Sequence, residues 1–78
     1  MSKKVIIYSA DWCAFCHAAK EYLDGKGIEY LEKNVEENPE YAQEAVEKSK
    51  QMGIPVLDID GTIIVGFDRP KIDAALTQ

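Results

Sequence analysis

The chain contains two cysteines, which lie three residues apart in the hexapeptide Trp12–His17 (WCAFCH). On one turn of a helix, this spacing brings two sulfurs within bonding range. Such a pair can alternate between dithiol and disulfide, and only the thiolate of a cysteine attacks another disulfide. A thiol with a pKa of about 8.5 is about 3% ionised at pH 7, whereas a pKa of about 6 gives about 90%. The chemistry therefore depends on the surroundings of the first sulfur.

The sequence predicts that this pair lies at a junction between a strand and a helix. Residues 4–9 are β-branched, aromatic and apolar, which is typical of a central strand covered on both faces. After Cys13 the apolar residues recur at helical spacing; they are Phe15, Ala18, Ala19, Tyr22 and Leu23. Free amides and the helix dipole would then favour an anion at Cys13. We interpret Cys13 as the nucleophile and the more buried Cys16 as the resolving thiol.

Two further elements are predicted in the middle of the chain. Residues 28–35 are expected to form a second strand. Asn38 is a good N-cap for a helix that ends at Gly53, with Pro39 at its first position and Glu36 near the positive end of its dipole. Glu44 and Lys48 are expected to pair on its outer face.

The last third of the chain predicts a hairpin and a helix. Residues 54–60 and 62–67 are two strands joined by Asp60-Gly61, a strong two-residue turn signal. Asp68 is expected to cap a final helix. A right-handed crossover makes the first two strands parallel. The fold class is therefore α/β, with a mixed four-stranded sheet in the order β-α-β-α-β-β-α and helices on both faces.

Composition limits the possible functions. The 78 residues are expected to form one domain (1–78), and a formal net charge of −5 without a basic block argues against nucleic-acid binding. The apolar run near the N-terminus has four residues, whereas a secretory core needs about 7 and a membrane span about 20. We therefore expect a cytoplasmic protein without membrane contact, where paired cysteines are more often catalytic or metal-binding than structural.

The hexapeptide Trp12–His17 also has features of haem-binding and metal-binding motifs. Cys-x-x-Cys-His matches haem c attachment, with His17 and Met52 as axial ligands, but no export signal accompanies it. A closed zinc site needs a second pair of ligands, and the chain has no other Cys or His, so no metal ligand is assigned. An Fe–S cluster shared by two chains stays open as the alternative function, and so does an adaptor with idle cysteines. His17 is interpreted as a solvent-facing helix residue.

The pattern resembles the thioredoxin superfamily and, within it, the glutaredoxin-like redoxins. The resemblance covers nearly the whole chain and is carried by Cys13-Ala14-Phe15-Cys16, Gly53-Ile54-Pro55 and Gly66-Phe67-Asp68. It implies a thioredoxin-like fold and a dithiol–disulfide oxidoreductase that reduces protein or glutathione mixed disulfides. It also implies a cis bond between Ile54 and Pro55, which is uncommon enough to be a sharp test.

The resemblance further implies the substrate site. Ile54 and Pro55 would shape a groove beside the cysteines, and Gly66, Phe67 and Asp68 would form its far wall or hold the tail of glutathione. We also expect two aromatic residues to flank the cysteines and bind a partner chain; they are Trp12 and Phe15.

The subfamily is left open by several departures from glutaredoxins. Ala14 replaces their usual proline, Ala10 and Asp11 replace a basic residue, and the segment 66–70 is more similar to NrdH-type redoxins. Each departure removes a contact that would hold glutathione. We expect a monomer without a bound cofactor, reduced either by glutathione, a candidate co-substrate, or by thioredoxin reductase.

Overall fold

The computed structural model of the protein describes residues 4–51 and 53–77. Met52, considered above as a haem ligand, lies outside these residues. The seven elements follow the predicted order and are β1 (Val5–Ser9), α1 (Ala14–Gly25), β2 (Leu31–Asn34), α2 (Pro39–Ser49), β3 (Val56–Ile59), β4 (Thr62–Val65) and α3 (Arg69–Thr77). In the described part of the chain, no helix has the length and apolarity that crossing a membrane requires.

The four strands form one mixed sheet in the order β2-β1-β3-β4. β1 and β2 are parallel, while β3 is antiparallel to both β1 and β4. The predicted fold class is therefore confirmed. Because β1 is central, the residues that follow it lie in the middle of one edge of the sheet.

Alternation along the strands divides the apolar residues between two cores. On one face, Val5 and Ile7 of β1 pack with Leu23 of α1 and Ile72 of α3. On the other face, Tyr8 and its neighbours pack beneath Ala45 of α2. Side chains of successive strand residues point to opposite faces, so a continuously apolar β1 requires helices on both sides, as predicted.

The buried stripe of α1 differs from the predicted one. The fully buried residues are Cys16, Ala19 and Leu23, whereas Phe15 is 67% exposed. Phe15 shares the helical spacing of the predicted apolar residues but lies outside the buried face. Helical spacing alone admits both stripes, and the inward one contains Cys16 because that residue packs beneath the junction with β1.

Several helices and strands are shorter than predicted. α2 ends at Ser49 rather than Gly53, because Lys50 adopts a left-handed conformation (φ 64°) and its N–H closes the helix on the Val46 carbonyl. The caps are as expected, since the Asn38 side chain accepts a hydrogen bond from the Glu40 amide. The Asp60-Gly61 turn has positive φ at both residues (51° and 97°), as a tight hairpin requires.

The predicted pair between Glu44 and Lys48 does not form. Glu44 instead binds Lys33 of β2 at 3.0 Å, and Lys48 binds Asp58 of β3 at 2.7 Å. α2 lies across the sheet, and strand side chains beneath it reach both residues. Tertiary partners therefore replace the local pair, which contributes only about 0.2–0.5 kcal/mol in an isolated helix.

Candidate active site

The two cysteines lie at the beginning of α1. Cys13 is the N-cap residue, with an extended backbone (φ −90°, ψ 108°), and Cys16 belongs to the first turn. The pair is joined as a disulfide, with Cα atoms 5.2 Å apart. Cys13 is 5% exposed and Cys16 is fully buried. The spacing in the sequence thus produces the proximity that dithiol chemistry needs.

The sulfur of Cys13 takes the place of a capping oxygen. Its Sγ accepts a hydrogen bond from the Cys16 backbone amide at 3.1 Å. The first amides of a helix have no partner within the helix, and together with the dipole they favour negative charge. In the reduced protein this position favours a thiolate on Cys13 over one on Cys16, which lies further from solvent.

A small apolar cluster surrounds the cysteines and includes one predicted groove residue. Ala10, Cys13 and Cys16 form its core, and Val35 and Ile54 pack against them. The peptide bond between Ile54 and Pro55 is cis, as the resemblance implied. Cys13 and Ile54, 41 positions apart in the sequence, are therefore brought together at the edge of the sheet.

The predicted far wall lies beyond Pro55. The Gly66 amide donates a hydrogen bond to the Pro55 carbonyl at 2.8 Å. Phe67, however, packs edge to face on Tyr22 with ring centroids 5.8 Å apart, and it belongs to the core under α1 and α3. Asp68 caps α3, since its Oδ1 accepts from the Lys71 amide at 3.2 Å. Gly66 is thus tied to the groove, while Phe67 and Asp68 have structural contacts of their own.

The two aromatic residues that flank the cysteines are exposed. Trp12 is 71% exposed and Phe15 is 67% exposed. Both side chains lie within two residues of Cys13. Large apolar side chains beside a reactive pair offer a surface for a partner, and their role in binding stays a prediction.

A polar network before Cys13 escapes sequence reasoning. Asp11 accepts hydrogen bonds from the Asn34 side chain and the His17 ring, and it donates its amide to Glu36. The Glu36 carboxylate, assigned from sequence to the start of α2, accepts the Asp11 amide instead. The available signal is the parallel pairing of β1 and β2, because parallel strands that start side by side also end side by side. The exposed position of His17 agrees with its interpretation as a surface residue.

A compensated pair of charges lies one turn beyond Cys16. Glu32 Oε2 accepts hydrogen bonds from Lys20 Nζ at 2.7 Å and from the buried Ser9 hydroxyl at 2.5 Å. The Lys20 bond, followed by the Ser9 bond, holds the pKa of Glu32 below its ordinary value of 4.5. Lys20, four residues after Cys16, is therefore paired with a carboxylate of β2.

Among residues 4–51 and 53–77, no group of three or more His, Cys, Asp or Glu side chains is arranged to hold a metal ion. The site is thus a cysteine pair with an apolar lining on one side and hydrogen-bonded polar residues on the other.

Comparisons with known proteins identify relatives for this arrangement. The glutaredoxin family model matches residues 5–64. An uncharacterized glutaredoxin-like 8.6 kDa protein encoded in the rubredoxin operon of Clostridium pasteurianum is 45% identical over 72 residues, which cover 92% of this chain and 96% of that protein.

Two solved structures extend the comparison. The Escherichia coli NrdH-redoxin, described as a glutaredoxin-like protein with a thioredoxin-like activity profile, superposes with a TM-score of 0.80 at 28% identity, covering 91% of this chain and 92% of that one. A buckwheat glutaredoxin in complex with glutathione gives a TM-score of 0.78 at 20% identity, covering 96% and 77%. The latter similarity concerns the fold alone.

Proposed function

Because this chain belongs to the glutaredoxin family and is a dithiol–disulfide oxidoreductase, we propose that Cys13 is its nucleophile and Cys16 its resolving thiol. The observation that carries the assignment is the capping position of Cys13, whose sulfur faces the Cys16 amide at 3.1 Å. The complete burial of Cys16 supports the second role, because an incoming disulfide reaches the outer sulfur first.

The proposed reaction has two exchange steps. The Cys13 thiolate attacks one sulfur of a substrate disulfide, forming a mixed disulfide and releasing the other sulfur as a thiolate that takes up a proton. Cys16 then loses its proton and attacks Cys13 Sγ, which releases the second substrate thiol. The substrate gains two electrons and two protons, and the protein is left with the Cys13–Cys16 disulfide seen in the structure.

We propose a polypeptide disulfide as substrate. The exposed Trp12 and Phe15 offer apolar contacts to a partner chain. Ile54 packs against the cysteines and Pro55 follows it, so they can line a groove for an extended segment. In this proposal Gly66, Phe67 and Asp68 close the far side of the groove.

We further propose that a dithiol reductase of the thioredoxin-reductase type regenerates the dithiol faster than glutathione does. Asp11 and Glu36 place carboxylates on the β2 side of the cysteines, and these repel the carboxylates of glutathione. The thioredoxin-like activity described for the E. coli NrdH-redoxin points the same way. Glutathione is the competing co-substrate in this proposal, supported by the description of a buckwheat glutaredoxin of the same fold in complex with glutathione.

The working form in this proposal is a monomer in the cytoplasm. One chain supplies both sulfurs of the exchange. A reducing compartment would return the disulfide to the dithiol between reaction cycles.

The experiment uses reduction of insulin disulfides with three proteins and two donor systems. Cys13→Ser is expected to be inactive, while Cys16→Ser is expected to accumulate a mixed disulfide, visible by mass spectrometry as an adduct lost on reduction. Each protein is supplied with NADPH and either thioredoxin reductase or glutathione plus glutathione reductase. Full activity of Cys13→Ser would overturn the catalytic assignment, and faster regeneration by glutathione would overturn the choice of donor.

A further inference from the structure

Asp11, two residues before Cys13, is hydrogen-bonded through its backbone amide, its carbonyl oxygen and its carboxylate Oδ1. Its amide donates to Glu36 Oε1 at 2.8 Å, and its carboxylate Oδ1 accepts from Asn34 Nδ2 at 3.0 Å. Its carbonyl oxygen accepts from His17 Nε2 at 2.9 Å. The turn is thus held from two directions, by α1 and by the segment that follows β2.

The end of β2 and the residues that follow it are themselves held by hydrogen bonds. The Val35 amide continues the parallel ladder by donating to the Ser9 carbonyl at 2.8 Å. Asn34 is only 8% exposed, and its Oδ1 accepts the Glu36 amide at 2.8 Å. Asn34 therefore bonds both Asp11 and Glu36, and a buried amide with both ends satisfied has a fixed orientation.

This turn determines where the first cysteine begins the helix. The Cys13 amide donates to the Ala10 carbonyl at 3.2 Å, which closes the turn around Asp11. Beyond the turn, Cys13 Sγ meets the Cys16 amide. A displacement of Asp11 reaches the capping sulfur through only two peptide units of the main chain.

We propose that Asn34 and Glu36 are positioning residues for Cys13, holding the Asp11 turn so that the sulfur stays on the Cys16 amide in the first turn of α1. The proposal rests on the proposed function in one respect, namely that Cys13 is the attacking thiol. Neither residue touches the reacting atoms in this proposal; both act through Asp11.

Substitutions at Glu36 can distinguish the effect of its hydrogen bond to the Asp11 amide from the effect of its negative charge. Its negative charge near Cys13 opposes a thiolate, so neutralising it alone should increase the reactivity of Cys13. Loss of its hydrogen bond should have the opposite effect, because the turn loosens. Glu36→Gln removes the charge and keeps an acceptor oxygen, while Glu36→Ala removes both.

The test measures alkylation of Cys13 by iodoacetamide between pH 4 and 9, in a Cys16→Ser background with Cys13 as the one remaining thiol. We expect Glu36→Gln to react at least as fast as the parent. Glu36→Ala should react about fivefold more slowly than Glu36→Gln at pH 7, which is the effect of one net hydrogen bond. The apparent pKa of Cys13 should be higher in Glu36→Ala than in Glu36→Gln.

Asn34→Ala changes no charge and removes both of its bonds, so it should also slow alkylation. Glu47→Gln and Glu47→Ala are the matched controls, since Glu47 is exposed on α2 and accepts from Gln43. Equal rates for the two Glu36 variants would overturn the proposal, even where Asn34→Ala fails to fold. Alkylation needs no disulfide substrate, so failure of the protein with both cysteines to reduce insulin would count against the proposed function and not against this inference.

Discussion

Replacing Gly66 by alanine tests how the turn after β4 supports the groove. Gly66 has a φ of +83°, and a Cβ built on it would have no neighbouring atom within 4 Å. The substitution therefore introduces no clash, and its effect is confined to the backbone. An L-residue in a left-handed conformation costs about 1–2 kcal/mol. For a domain of this size, each kcal/mol lowers Tm by about 4–8 °C.

The control for this substitution is Gly25→Ala. Gly25 is the last residue of α1, and its added Cβ also meets no atom within 4 Å. Without a positive φ at Gly25, the change should be neutral or stabilising by at most about 1 kcal/mol. The two alanines thus differ in backbone conformation and not in packing.

A functional consequence should accompany the loss of stability. Relief of strain at Gly66 would move its amide away from the Pro55 carbonyl, to which it now donates at 2.8 Å. The proposed groove beside Pro55 would shift, while Cys13 Sγ would keep its hydrogen bond from the Cys16 amide. We therefore expect KM for insulin to rise with little change in the alkylation rate of Cys13. Thermal melts of Gly66→Ala and the parent that agree within about 1 °C would refute the reasoning.

Three other predictions concern the cap of α2, acid stability and the exposed aromatic residues. Asn38→Ala should lower the free energy of unfolding by about 1 kcal/mol in urea titrations, because the Glu40 amide loses its cap. Burial tends to raise the pKa of Asp58, but the hydrogen bonds from Lys48 and the Gly61 amide outweigh it and hold the pKa below 3.8. The stability from this carboxylate is present above that pH and lost as the pH falls through the lowered value, so melts between pH 6 and 2 should show a shallower acid loss in Asp58→Asn. Trp12→Ala should raise KM for insulin and leave the reduction of a small aromatic disulfide unchanged; equal effects on both substrates would contradict a docking role.

The cysteine pair is predictable from sequence because its signals are local. The i,i+3 spacing of Cys13 and Cys16 falls within one helical turn, and the change from a strand pattern to a helical period occurs beside it. The Asp60-Gly61 turn and the Asn38 cap also act over two to four residues. Such signals hardly depend on the rest of the fold, so the order of the elements was predictable too.

The residues that hold the site were not predictable in the same way. Asp11 bonds Glu36 and Asn34 across 25 and 23 positions of the sequence, and no local pattern distinguishes these residues from ordinary surface side chains. Glu44 shows the same limitation, since a plausible helical pair with Lys48 gave way to a strand residue beneath α2. Phe15 fits the helical stripe by spacing and is exposed in the fold.

The sequence by itself determined the chemistry of this protein, because two cysteines at helical spacing after a buried strand already define a dithiol pair. Tertiary structure decided which groups surround that pair. Parallel pairing of β1 and β2 brings Asn34 and Glu36 to the turn before Cys13, and the antiparallel pairing of β3 with β1 brings Ile54 against the cysteines. The physical reason is that contacts between distant segments depend on strand order and register, which local periodicity does not encode.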